Sequence, residues 1–162
     1  MEEINMSKLQ TPFRYDFVGS FLRPEKLKKA RRQFDEGAID YAALKVVEDE
    51  CIRELAAKIK ELGYHVITDG EFRRATWHLD FMWGFDGVGH VPTKTGLPFH
   101  GEAAMVDDTY IIGKINLSKE HPFVDHFRFV KALEDENTVA KQTMPAPAQM
   151  LAQFTMPFNR EH

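Results

Sequence analysis

The stretch Val66-Ile67-Thr68-Asp69-Gly70-Glu71-Phe72-Arg73-Arg74 constrains this chain more than any other. Val66 to Thr68 are apolar or β-branched, the composition of a buried strand. Charge follows at once: Asp69, Glu71, Arg73 and Arg74 crowd around Gly70. A glycine there lets the chain leave a strand through an unusual backbone angle. Strands that end this way present side chains to ligands at the carboxyl edge of α/β sheets. The plainer alternative is a strand followed by a solvated loop of salt bridges.

The rest of the chain suits that centre. Ahead of it, Asp40 can cap a long helix. Leu44, Val47, Cys51, Leu55, Ile59 and Leu62 recur three and four residues apart, the stripe of a helix with one buried face, and Gly63 stops it. Further back, Phe13 to Ser20 suggest a first strand, and Pro24 is placed as the first residue of a helix carrying Leu27, Ala30 and Phe34 up to Gly37. Residues 1 to 12 form a loose lead-in. Strand, helices, strand is a βαβ unit with parallel strands and a right-handed crossover.

Beyond the centre, the aromatic run Ala75 to Trp83 suggests a short helix or a lid. Residues 84 to 117 carry glycines at 84, 87, 89, 96, 101 and 113 and suggest a ribbon of strands, clearest from Tyr110 to Ile115. A helix follows from Pro122 to about Glu136, with Phe123, Phe127, Val130 and Leu133 inward. Val139 to Met144 fit a third core strand. A last helix begins at Gln149. The fold class expected is α/β, with three parallel strands and an uncovered apolar edge. Such an edge favours self-association, and the chain looks incomplete as a domain.

Composition excludes several classes. With 162 residues, 43% hydrophobic and 28% charged, the chain can bury a core. A net charge of -4 without a basic run argues against nucleic acid. No apolar run reaches the length of a membrane span, and Met1-Glu2-Glu3 does not begin a signal peptide, so a cytoplasmic location is the default. The single cysteine, Cys51, lies on the helix stripe and suits a small core residue.

Several side chains invite chemistry. Ser20, after Gly19, could hold a ligand carboxylate or be a turn serine. Asp69 and Glu71 would face one side if the strand continued, forming a carboxylate pair for an ammonium group or for acid–base work. Arg73 and Arg74 could instead neutralise them. His78, His90, His100, His121 and His126 show no metal-ligand spacing. Gly84-Phe85-Asp86-Gly87-Val88-Gly89 precedes no evident helix and is not a phosphate-binding loop.

Four segments together resemble the catalytic, zinc-bearing barrel domain of the cobalamin-independent methionine synthase family. They are Val18 to Pro24, the long helix with its lead-in Gly37 to Asp40, Asp69 to Arg74 with the aromatic run, and Ala140 to Pro147. The likeness is to the shorter, single-barrel relatives. It implies that residues 1 to 162 supply the amino-terminal portion, about the first three βα units, of a (β/α)₈ TIM barrel with a β-ribbon excursion near 84–117. It implies methyl transfer from a methyltetrahydrofolate-type donor to the thiol of homocysteine, giving methionine, with zinc binding the sulfur. Val18, Gly19 and Ser20 match the segment that holds the amino-acid end of homocysteine, and Glu71 matches the acid that takes its ammonium group. Asp69 and Arg73 stand as supporting residues. The family's zinc ligands, catalytic histidine and a later homocysteine-binding carboxylate have no counterpart here. The chain alone is therefore expected to be inactive and to hold no zinc. An arginine–cysteine pair near the folate aligns with Ala104-Met105, and a pterin-stacking tryptophan aligns near Gln153. Two other functions remain: zinc-dependent alkyl transfer to another small thiol, and a non-catalytic α/β module binding a small ligand or a partner chain.

Overall fold

The computed structural model describes residues 16–92, 97–99, 102–104, 107–118 and 120–155. Met105 and His100 therefore lie outside the described residues, as do 1–15. The chain divides into two compact units. One comprises Met1–Arg73 with Asp125–Thr143; the other comprises Arg74–Val124 with Met144–His162.

The first unit is built on two helices and a parallel strand pair. Helix α1 runs Glu25–Asp35 and α2 runs Tyr41–Glu61. Pro24 sits one residue earlier than expected, at the N-cap, where its carbonyl accepts from the Leu27 and Lys28 amides. Asp40 caps α2 as anticipated, its carboxylate accepting from the Ala43 amide at 2.8 Å. Of the apolar stripe, Leu44, Cys51 and Ile59 are buried, whereas Leu62 is 62% exposed because the helix ends there. Ile52, Ala56 and Glu48 complete the buried face. Gly63, at φ +78°, turns the chain into strand β1, Val66–Ile67.

The partner of β1 differs from the expected one. The described part of 13–20 carries no strand, and residues 13 to 15 lie outside the description. That segment is held by side chains instead: the Lys141 ammonium bonds both oxygens of Asp16 at 2.7 Å, and the Phe17 ring meets Phe21 edge-on at 5.1 Å. The strand beside β1 is Val139–Ala140, which pairs with it in parallel, Val66 opposite Val139 and Ile67 opposite Ala140. The sheet is two-stranded. Its core joins Leu27, Cys51, Ile52, Ile59, Ile67, Phe72 and Val130.

Entry to the Val139 strand is set by Asp135. Its carboxylate takes the Lys60 ammonium at 2.7 Å, the Asn137 amide at 2.9 Å and the Thr138 hydroxyl at 2.9 Å. The Lys60 contact first, then these donors, lower its pKa from 3.8 to about 2. A depressed carboxylate pKa stabilises the fold above the unfolded value and loses that contribution as pH falls through the folded one. Wild-type protein should therefore lose part of its stability between about pH 4 and pH 2. In Asp135→Asn that part should be missing, which urea unfolding across this range would show. Parallel pH profiles for the two proteins would contradict it.

The second unit is organised by aromatic rings and a ribbon. Helix α3, Leu79–Met82, follows the loop that Asp80 pins by accepting from the Ala75 and Thr76 amides. Strand β2, Phe85–Val91, then pairs antiparallel with β5, Asp108–Leu117, and a short hairpin of β3, Leu97–Phe99, and β4, Glu102–Ala104, lies between them in sequence. The ribbon expected over 84–117 is thus present. Its register shifts at Gly87, where φ is +83° and a Cβ would strike the Lys114 carbonyl. The glycine-rich segment 84–89 therefore forms a bulged strand.

Within this unit, Phe81, Phe85 and Phe123 surround His121. The His121 Nε2 donates to the Phe81 carbonyl at 3.0 Å, while Nδ1 accepts from the Phe123 amide at 3.2 Å, which selects one neutral tautomer. A Cβ on Gly84 would lie 2.5 Å from the His121 ring. Gly84→Ala should cost about 1–3 kcal/mol of stability in thermal unfolding; an unchanged midpoint would mean that the ring can move aside.

Helix α4 runs Pro122–Lys131, shorter than expected, and α5 runs Pro147–Thr155. Val130 is buried as anticipated, but Phe127 is 37% exposed. Among the described residues no helix is long and apolar enough to cross a membrane.

Candidate functional site

The site lies where the two parallel strands release the chain. Because β1 and the Val139 strand run the same way, their carboxyl ends share one edge. Asp69 to Glu71 leave from one end, and Gln142 and Thr143 leave from the other. The segment carrying Ser20 is tied to the same place by a hydrogen bond from the Phe21 amide to the Gly70 carbonyl, 3.1 Å.

Glu71 is the centre. Its carboxylate accepts from the Ser20 hydroxyl at 2.7 Å and from the Thr143 hydroxyl at 2.8 Å. The residue is 4% exposed. A buried carboxylate is suited to a cation rather than an anion. Its backbone is unusual. At φ +59° it is the single non-glycine with positive φ among the described residues, following Gly70 at +62°. Such a conformation costs about 1–3 kcal/mol.

The turn is held from several sides. The Asp69 carboxylate accepts from the Glu71 amide at 2.9 Å, the Thr68 hydroxyl accepts from the Gly70 amide at 3.1 Å, and the Phe72 amide donates to the Asp69 carbonyl at 3.1 Å. Arg23 donates to the Glu71 carbonyl at 3.2 Å, and Arg31 donates to the Phe72 carbonyl. Gly70 suits the turn by its positive φ, and a Cβ there would also displace the end of the Leu55 side chain, 2.5 Å away.

The expected carboxylate pair does not form as a strand face. The strand ends at Ile67, and two left-handed residues replace the alternation that would have aligned Asp69 with Glu71. Asp69 is fully buried and takes the Glu71 amide and, at 3.4 Å each, Thr68 and Gln142. Nor does Arg73 pair with either acid. It reaches back to α2, to Glu48 at 3.1 Å and to Asp49. Arg31 joins Glu48 at 3.3 Å. Burial pushes the Glu48 carboxyl up even so close to two arginines. Burial alone would also raise Asp49, but Arg73 and Lys45 outweigh it and hold that carboxyl below its usual value. Arg74 lies over the Phe123 ring, 4.5 Å from its centre, within the second unit.

Of the other residues singled out from sequence, Val18 is 84% exposed and Gly19 has φ +88°, so both belong to a loop rather than a strand. Ser20 spends its hydroxyl proton on Glu71. Cys51 is buried, and burial pushes its thiol up, away from thiolate chemistry. No group of three or more metal-ligating side chains occurs among the described residues. Burial also pushes the His78 imidazole below its usual value.

Sequence reasoning missed Thr143, Gln142, Arg23 and Arg31 as neighbours of this turn. Gln142 and Thr143 fall inside the strand expected over Val139 to Met144, but that strand ends at Ala140, so both lie just past its carboxyl end.

Fold and site define a mixed α/β protein with a buried carboxylate at the carboxyl edge of a parallel strand pair. The chain is similar to two uncharacterized proteins of Bacillus subtilis (strain 168). It is 37% identical to YxjG over 146 residues, covering 90% of this chain and 38% of that protein. It is 36% identical to YxjH over 138 residues, covering 85% and 36%. It thus spans little more than a third of these curated relatives. Among solved structures it is similar to a Listeria monocytogenes protein assigned as a vitamin-B12-independent methionine synthase. That match has 38% identity and a TM-score of 0.71, over 88% of this chain and 39% of the other. A B12-independent methionine synthase from Shewanella sp. W3-18-1, solved in complex with selenomethionine, shares the fold alone: 17% identity, TM-score 0.54, 72% of this chain and 33% of the other. No family model matches the chain.

Proposed function

We propose that this chain is the amino-terminal portion of a methionine-synthase-like (β/α)₈ barrel and that its Glu71 site binds the ammonium group of homocysteine. The observation that carries the reading is the Glu71 carboxylate, buried and oriented by the Ser20 and Thr143 hydroxyls. The likeness to the Listeria structure supports it, and so does the position at the carboxyl edge of parallel strands. The strand pair and its flanking helices would be part of that barrel, with the ribbon as an excursion from it.

In this reading Glu71 binds the ammonium group, and Ser20 and Thr143 hold the carboxylate in place. Val18 and Gly19 shape the loop that receives the amino-acid end. The thiol of the substrate would lose its proton and form an S–CH3 bond as the N–CH3 bond of a methyltetrahydrofolate-type donor breaks, giving the thioether of methionine and the demethylated folate, whose nitrogen takes up a proton. The described residues do not fit a zinc site, since no group of three or more metal-ligating side chains occurs among them. In this reading the chain works in the cytoplasm.

The test is an affinity difference. Calorimetry on this chain should show L-homocysteine binding roughly tenfold or more tighter than the analogue without the amino group, a mercaptobutanoate, because a charge-assisted hydrogen bond is lost. Equal affinities would sink the reading. Light scattering checks a separate expectation. Ile112 and Leu117 on β5 are 65% and 69% exposed, and such apolar surface should make the chain self-associate. A monodisperse monomer would count against it.

A further inference from the structure

The turn after β1 holds a second acid that the proposed substrate contact does not use. Asp69 is fully buried, and its described partners are all neutral donors: the Glu71 amide, the Thr68 hydroxyl and the Gln142 side-chain amide. A buried carboxylate that takes no lysine or arginine is costly to fold. It stands where it fixes the one non-glycine left-handed residue described, Glu71. The Asp69 main chain adds to this, since its carbonyl closes the turn by accepting from Phe72.

We infer that Asp69 is a positioning residue: through Oδ1 it locks the Glu71 backbone in the left-handed conformation that delivers the Glu71 carboxylate to Ser20 and Thr143. The inference rests on the proposed ammonium site. Without the Asp69 acceptor, the Glu71 amide is buried without its partner and the backbone relaxes toward ordinary angles. The carboxylate then leaves the place fixed by the two hydroxyls, and a ligand ammonium loses its anchor. The required group is the acceptor oxygen and not the charge. Asparagine keeps that oxygen. Its new amide would face Gln142, whose Oε1 is buried without a hydrogen-bond partner and can accept from it once the Gln142 amide turns over.

The experiment compares L-homocysteine with the mercaptobutanoate analogue by calorimetry, in the wild-type chain, Asp69→Ala, Asp69→Asn and Glu71→Gln. The quantity read is the affinity ratio, which isolates the ammonium contact from general folding. Asp69→Ala should shrink the ratio to near one, as Glu71→Gln does, and Asp69→Asn should recover most of it. If Asp69→Ala does not fold, Thr68→Val carries the test. Removing that hydroxyl should cut the ratio by roughly threefold, a fraction of one hydrogen bond. A ratio near one in the wild type overturns the ammonium site itself. A wild-type ratio that Glu71→Gln abolishes but Asp69→Ala, or Thr68→Val in its place, leaves intact overturns the positioning role alone. So does a folded Asp69→Asn as impaired as Asp69→Ala, which would make charge the property that matters.

Discussion

Glu48→Ala should destabilise the first unit by about 3–5 kcal/mol, the largest loss of stability expected from any single change described here. Glu48 is a charged residue on the buried face of α2, 2% exposed, bonded to Arg73 at 3.1 Å and Arg31 at 3.3 Å. Removing it takes from Arg31 and Arg73 a buried carboxylate that both of them bond, and leaves Arg73 its contact with Asp49. Breaking a buried pair costs more than the pair contributes, because an uncompensated charge remains. Arg31 also holds the Phe72 carbonyl, so the turn after β1 loosens as well. Against a typical domain stability of about 5–15 kcal/mol, such a loss brings the protein close to unfolding at ambient temperature. Glu48→Gln should cost less, because its one carbonyl oxygen keeps the hydrogen bond to one guanidinium group, whereas the amide that replaces the other oxygen cannot accept from the second. Denaturant unfolding followed by circular dichroism reads the difference. A loss below about 1 kcal/mol for the alanine variant would mean that water reaches these arginines and the network is not buried in solution.

Glu71→Gln should lower the affinity for L-homocysteine by roughly tenfold to a hundredfold, with a smaller loss of stability than of affinity. Glutamine has the shape of glutamate and can still accept from one of the two hydroxyls, while the other rotates to accept from the new amide. The left-handed backbone at 71 is carried by Asp69 and Arg23 and does not depend on the side-chain charge. What disappears is the negative charge that an ammonium group needs. Calorimetry and thermal unfolding on the same preparation separate the two effects. Equal loss of affinity and of stability would point to a structural carboxylate rather than a binding one.

The parts of this chain that could be read from sequence are those with local causes. Helix α2 declares itself through the Asp40 cap, the apolar stripe and Gly63, and each signal lies within the helix or beside it. The central turn was visible because a strand ending in Asp69-Gly70-Glu71 needs a glycine at its bend. What stayed hidden has non-local causes. Strands of two residues carry no period, so nothing nearby marks Val139 as the partner of Val66. Thr143 joins the Glu71 site because of that pairing and could not be found without it. Asp69 and Glu71 do not share a strand face for a related reason. Alternation applies only while the strand lasts, and this one stops at Ile67. The Arg73 ion pairs point back to α2, a direction that adjacency to Asp69 and Glu71 did not suggest.

A crystal structure of this chain soaked with L-homocysteine tests the Glu71 ammonium contact directly. The ligand nitrogen should lie within about 3 Å of a Glu71 carboxylate oxygen, with Ser20 and Thr143 still bonded to that carboxylate. A ligand bound elsewhere, or bound here with its nitrogen turned away from Glu71, would contradict it.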